Sequence, residues 1–323
     1  MKSMLALLLA TLGLAVVNHA HAQTWPAKPL MAVVPVGAGS LADTIARLVL
    51  NGVASQLGQP VVVENRTGAG GTIGAAFVAK SPADGYTLLV HSNAHTIAPA
   101  LYPTLSYHPA HDFAAVAPLG ISPHVLVVSP SKGFKTVGDL IAAGKAKPGS
   151  LTFASVGVGT ATHLSAERFR TSTGMNAVHV PFRGGPQAVT EVIAGRVDFF
   201  FGPLGLVLPQ INDGKLVALL VNGYHRSAAL PNVPTTSEVG LADAEFPIWF
   251  GMFAPSHTPR GIVDKLHDAT LKAEQTADVK DKLARLAVDP MNMTADEFAA
   301  FVEKEVAANA ALVKMAGIKA QAD

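Results

Sequence analysis

Chemistry in this sequence concentrates in two glycine turns and a few histidines. The first turn, Gly37-Ala38-Gly39-Ser40, follows an apolar run at 31–34 and precedes helical spacing from Asp43. Pro35 ends the apolar run, because proline brings no N–H to a sheet ladder. The second turn, Val156-Gly157-Val158-Gly159-Thr160, follows a run at 151–155 and precedes a helical stretch from about Ala161. Strand, small-residue turn and helix leave several N–H groups without partners at the positive end of a helix dipole. Such a place receives anions. An unliganded βα loop has the same local sequence, so one turn alone does not decide the matter.

Other chemistries fit the residues less well. Ten of the twelve histidines lie beyond residue 22. His91 and His95 are four apart, as are His163 and Glu167, which puts each pair on one face of a helix, but the chain has no H-E-x-x-H run. It has no cysteine, hence no thiol nucleophile, disulfide or cysteine metal site. Ser155 and His163 could meet in space, yet no carboxylate is placed to orient the histidine and no G-x-S-x-G elbow exists. Gly68 and Gly70 with Gly74 resemble a dinucleotide fingerprint, but its third glycine position is Ile73 and the next strand ends in Val90-His91-Ser92 without an acid. Those glycines are expected to shape a tight turn. Anion cradles without proton-transfer groups in company describe a binder, and neither metal nor cofactor is expected.

The ends and totals narrow the setting. Lys2, an apolar core at 4–17 and Ala20-His21-Ala22 before Gln23 have the pattern of a cleaved export leader. That core is shorter than the roughly 20 residues a spanning helix needs. The 24 basic and 23 acidic residues of the 323-residue chain become 23 and 23 without Lys2. Balanced charge argues against nucleic acid and anionic membrane as partners. With charged residues at 15%, the chain is expected to be compact, and periplasmic.

The elements that must position these residues alternate. Strands are expected at 31–34, 59–64, 86–90, 124–128, 151–155, 178–180, 197–201 and 216–221, with helices after most of them, and a coil at 96–101. Alternation implies α/β architecture with a parallel, doubly wound sheet. A strand at 246–253 returns the chain and 255–259 marks a crossing. The expected division is a signal peptide at 1–22, a first lobe at 23–123 plus 255–323, and a second at 124–254. Thr294 and Glu297 form a capping box for a last helix that ends near Gly317.

Many separate motifs then share one resemblance. They are Trp25-Pro26, Val34-Pro35 with Ala38-Gly39 and Asp43, VVVENRTGAGGTIGA at 61–75, DGYTL at 84–88, PALY at 99–102, GVGTATHLSAERF at 157–169, VPFRGG at 180–185 and LPNVPTTSEVG at 230–240. In this order they resemble the Bug receptors, the extracytoplasmic solute receptors of tripartite tricarboxylate transporters. The resemblance implies a two-lobed type II periplasmic-binding-protein fold with two interlobe crossings, a small carboxylate as ligand and membrane permease subunits as partner. It implies a monomeric, non-enzymatic receptor lined by Ala38, Gly39, Ser40, Ser92, Ser155, Gly157, Gly159, Thr160, Phe182 and Gly202. Asp43 is expected to cap or brace rather than touch ligand. At Gly202 relatives often carry an aspartate, and its absence here leaves no acceptor for an ammonium group, so an amine-free acid is expected. The alternatives are a ligand-presenting sensor for a membrane kinase, and a hydrolytic enzyme on the same scaffold using Ser155 and His163.

Overall fold

The computed structural model describes residues 25–182, 184–223 and 225–318, so the expected leader lies outside the described residues. The chain folds into two five-stranded sheets flanked by helices. In the first, β1 (Leu30–Val34) pairs in parallel with β2 (Val61–Asn65) and with β3 (Thr87–Ser92). The order is completed by two later strands, β4 (Phe113–Ser122) and β10 (Ile248–Pro255), giving β2-β1-β3-β10-β4. The second sheet repeats the pattern as β7-β6-β8-β5-β9, with β5 His124–Val128, β6 Leu151–Ser155, β7 Ala177–Pro181, β8 Phe199–Pro203 and β9 Val217–Asn222. Its β6 runs parallel to β7 and β8, while β5 is antiparallel to β8 and β9. The sheets are therefore mixed, not purely parallel.

The helices cover both faces of each sheet. After β1 comes α1 (Leu41–Leu57), whose buried Ala42, Ile45, Ala46, Val49, Leu50 and Val53 keep the three- and four-residue spacing of one face. Ser40 caps its start and Gly58, at φ 68°, its end. Next come α2 (Thr72–Ala79) and α3 (Ala94–Leu101), the latter a helix where coil was expected. The second lobe carries α4 (Val137–Ala146), α5 (Ala161–Thr173), α6 (Gly185–Ile193) and α7 (Leu204–Asn212). The tail is α8 (Arg260–Gln275), α9 (Ala277–Arg285) and α10 (Ala295–Ala316). As expected from the sequence, α10 opens with the Thr294–Glu297 capping box and closes at Gly317. Among the described residues no helix is long and apolar enough to cross a membrane.

Two differences from expectation concern the crossings. The segment 113–122, broken by Pro118 and Gly120, carries no strand signal in the sequence, yet it is the longest strand among the described residues and leads through Pro123 alone into the second sheet. The return strand β10, expected in the second lobe, pairs antiparallel with β3 and β4 of the first. A run buried on both faces has the same composition in either sheet, so its partners are not readable from it. The return crossing therefore falls before β10: Phe246 N–H donates to Asn222 Oδ1 at 2.6 Å, and Asn93 Nδ2 donates to the Pro247 carbonyl at 3.3 Å. A mixed apolar cluster joins the lobes beside it, with Ile97 and Leu101 of α3, Ala161 and Leu164 of α5, Phe246, and Leu312 and Val313 of α10.

Candidate functional site

The first-lobe turn is held from behind by a buried carboxylate. Asp43, 3% exposed, accepts the Gly39 N–H at 2.9 Å and the Asn65 amide at 2.9 Å. Arg47 Nε donates to both its oxygens at 3.1 Å. Asn65 reaches on to the Val36 carbonyl at 2.9 Å, tying the β1 and β2 loops together. Burial raises the Asp43 carboxyl, but the hydrogen bonds from Arg47, Gly39 and Asn65 and the Arg47 charge outweigh it and hold it below its ordinary value. Asp43 thus braces the loop, and Ser40, whose Oγ accepts the Asp43 N–H at 3.3 Å, is the cap. Gly37, Ala38 and Gly39 are exposed. With the Gly39 N–H taken, the loop amides without a protein acceptor among the described residues are those of Val36, Gly37, Ala38, Leu41 and Ala42.

The second-lobe turn is tied down more completely. Ser155, fully buried at the end of β6, places its Oγ 2.6 Å from His179 Nε2 and accepts the Gly157 N–H at 3.0 Å. Gly159 N–H donates to His163 Nδ1 at 3.1 Å. Val156 N–H donates to Thr162 Oγ1 at 3.0 Å, and Thr160 Oγ1 donates to the Gly157 carbonyl at 2.7 Å. The donors left over are Val158 N–H and the first-turn amides of α5, since Thr160 makes no side-chain cap bond. The glycines are required by backbone shape: φ is 126° at Gly157 and 76° at Gly159. The expected Ser155–His163 pair does not form. Ser155 meets His179 instead, and His163 faces Gly159 and, at 3.9 Å, Glu167 Oε1.

The remaining expected residues separate. Phe182, half-buried, donates its N–H to the Ser155 carbonyl at 2.9 Å and so sits beside the second turn. Ser92 ends β3 in the first lobe, where its Oγ accepts the Ala94 N–H at 3.4 Å. Gly202 is buried within β8, and a Cβ there would lie 2.5 Å from Val207 and 2.7 Å from Phe200, so this position points into packing rather than into open space. Asp198 does not compensate: it pairs with Lys132 at 2.6 Å and accepts the Thr152 N–H and Oγ1 at 2.8 and 2.9 Å. The Gly68–Gly74 loop is the tight turn expected of it, since a Cβ on Gly74 would come within 2.7 Å of the Arg66 carbonyl.

These placements give two turns, each at the carboxyl end of an interior strand, β1 or β6, and each opening a helix. The second turn meets the first lobe at Leu101 of α3, which packs onto Gly159. Open α/β sheets bind ligands at this end. A model of the tripartite tricarboxylate transporter family receptor matches residues 45–318 of the chain. The chain belongs to this receptor family. Among its relatives, Bordetella pertussis BugT is 34% identical over 319 residues, covering 98% of this chain and 97% of BugT. The family fold is also that of solved structures. Rhodopseudomonas palustris MatC with bound malate aligns at TM-score 0.78 and 32% identity, over 90% of this chain and 100% of that one. An R. palustris protein with adipate aligns at 0.81 and 32%, over 92% and 100%. The periplasmic binding protein BugD aligns at 0.79 and 30%, over 92% and 100%. The chain is accordingly a solute-binding receptor with the two-lobed fold of this family. Sequence reasoning did not identify Arg47, Asn65, His179 or Leu101 as parts of the site. Asn65 stood in a quoted motif, but nothing in its spacing pointed to Asp43.

Proposed function

We propose that this chain is a periplasmic receptor that binds a small, amine-free carboxylate between its lobes and presents it to the permease subunits of a tripartite tricarboxylate transporter. The observation that carries this reading is the pair of unpaired donor sets, one at each helix start. Gly37, Ala38, Leu41 and Ala42 supply unpaired N–H groups on one lobe, and Val158 with the first turn of α5 supplies them on the other. Two such sets, each at a helix N-terminus, suit an acid with a carboxylate at either end. MatC with malate and the R. palustris protein with adipate support that ligand class. The family description supports the transporter partner.

The preference for an acid without an amine rests on the acidic side chains. An ammonium group buried without an acceptor is strongly unfavourable. Asp43 is engaged by Arg47 and Asn65, and Asp198 by Lys132 and Thr152. Neither is available as a countercharge. Calorimetry of the mature chain with succinate, malate, adipate, aspartate and glutamate tests the reading. Binding of at least one amine-free acid, tighter than both amino acids, is expected. An amino acid binding about tenfold tighter than every other acid, roughly 1.4 kcal/mol, would overturn the amine-free assignment. Export is tested separately: protein recovered from a periplasmic extract should begin at Gln23.

A further inference from the structure

We propose that His163 and His179 are positioning residues for ligand capture, a stacked pair of neutral imidazoles that set which N–H groups of the second-lobe turn face the cleft. This rests on the reading that a carboxylate is held at that turn. The rings lie 4.0 Å apart at 19°, and Phe153 closes the stack, 4.9 Å from His179 and 6.0 Å from His163. Each ring holds one end of the turn. His163 Nδ1 accepts the Gly159 N–H, so Nδ1 carries no proton and the ring hydrogen is on Nε2, toward Glu167. Glu167 is in turn held by Arg170 Nε at 2.8 Å. His179 Nε2 meets Ser155 Oγ, and Ser155 Oγ accepts the Gly157 N–H.

The pair thereby draws the Gly157 and Gly159 amides inward and leaves Val158 N–H and the first-turn amides of α5 outward. Charging the rings would break this arrangement. A proton on His163 Nδ1 would oppose the Gly159 N–H, and two imidazolium rings at this spacing repel. Among the described residues, His163 faces Glu167 and Arg170 of its own helix, His179 on β7 and Phe153 on β6, while His179 faces Phe153 and Ser155. Burial, then the neighbouring His179 and Arg170, lowers His163 to about 3, and burial lowers His179 to about 4, so both rings stay neutral near pH 7.

The experiment separates the acceptor from the bulk of the ring. Asparagine at 163 carries an oxygen as many bonds from Cα as Nδ1, and glutamine at 179 reaches as far as Nε2. The mature chain and its His163→Asn, His163→Leu, His179→Gln and His179→Leu variants are titrated with malate and adipate, and amide exchange is read at Gly157 and Gly159. The leucine variants are expected to lose about tenfold or more in affinity, with faster exchange at Gly159 for His163→Leu and at Gly157 for His179→Leu, while the asparagine and glutamine variants stay within about threefold of the parent. His163→Gln, with its acceptor one bond farther out, should match His163→Leu and serves if leucine prevents folding. Leucine variants that exchange and bind like the parent, or asparagine and glutamine variants that fail equally, would overturn the proposal. If no protein, parent included, binds either acid, the functional reading fails alone; unaccelerated Gly159 exchange in His163→Leu would then still refute the positioning role.

Discussion

Leu101 occupies the space a side chain on Gly159 would need, so the first lobe rests directly on the glycine turn that opens α5 in the second. Gly159 is also at φ 76°. Gly159→Ala therefore meets two obstacles, one in the backbone and one across the lobes. The left-handed conformation alone should destabilise by about 1–2 kcal/mol, with Leu101 adding to it. Urea denaturation of Gly159→Ala, Leu101→Ala and the double variant measures the coupling. The double variant should recover part of the loss, and strict additivity would show that the lobes do not press on each other here.

Asp43 offers a prediction about the other turn. Asp43→Ala removes the acceptor for Gly39 and Asn65 and leaves Arg47 without its partner. A loss of about 1.5–3 kcal/mol is expected, the range for hydrogen bonds to a charged group. Affinity for a carboxylate should fall as well, because the β1 loop loses its tie to β2. Unchanged stability and affinity in chemical denaturation and calorimetry would show that the loop holds its shape without the brace.

At Gly202 the geometry argues against a simple change of specificity. An aspartate there would enter the contact between Phe200 and Val207 rather than open space. Gly202→Asp should destabilise the chain by about 1–3 kcal/mol or more through overpacking and should create no site for an amine. Gain of aspartate or glutamate binding in the variant would show that the strand end rearranges to present its side chain.

Stability should peak near neutral pH, just above the ordinary imidazole value of 6.5. Burial lowers His91 and His163 to about 3, His124 and His179 to about 4, and His95 further. Below 6.5 the unfolded chain takes up protons these folded rings refuse, so stability falls as pH drops from 6.5 toward 4. Burial acts oppositely on carboxyls, raising Glu274 to about 8 and raising Glu305. Each is neutral in the fold over a range where the unfolded group is charged, so its contribution is complete below 4.5 and is lost as pH rises, for Glu274 up to about 8. Five rings outweigh two carboxyls from 4.5 through 6.5, where half of the unfolded imidazoles are still charged, and above about 7 Glu274 sets the slope. Melting temperatures across this range test it. Glu274→Gln should flatten the alkaline limb, and a limb unchanged by that substitution would remove Glu274 from the account.

Much of the scaffold was legible in the sequence because its signals are local. Strand, glycine turn and helix at 31–49 and 151–171 follow from apolar spacing, from Pro35 and from turn residues. The Thr294–Glu297 capping box is likewise written in four consecutive residues. The family emerged from motifs in a fixed order along the chain. What tertiary structure decided was partnership. The pairing of β10 with β3 and β4 depends on strands more than 120 residues earlier, and a run buried on both faces does not name its neighbours. The turns were visible, but which of their N–H groups point outward was not. That follows from Asp43 taking Gly39, Ser155 taking Gly157 and His163 taking Gly159, with His179 brought beneath Ser155 only by the parallel pairing of β6 and β7. Backbone donors are the same in every residue, so only the folded chain can distinguish those already satisfied from those left free for a ligand.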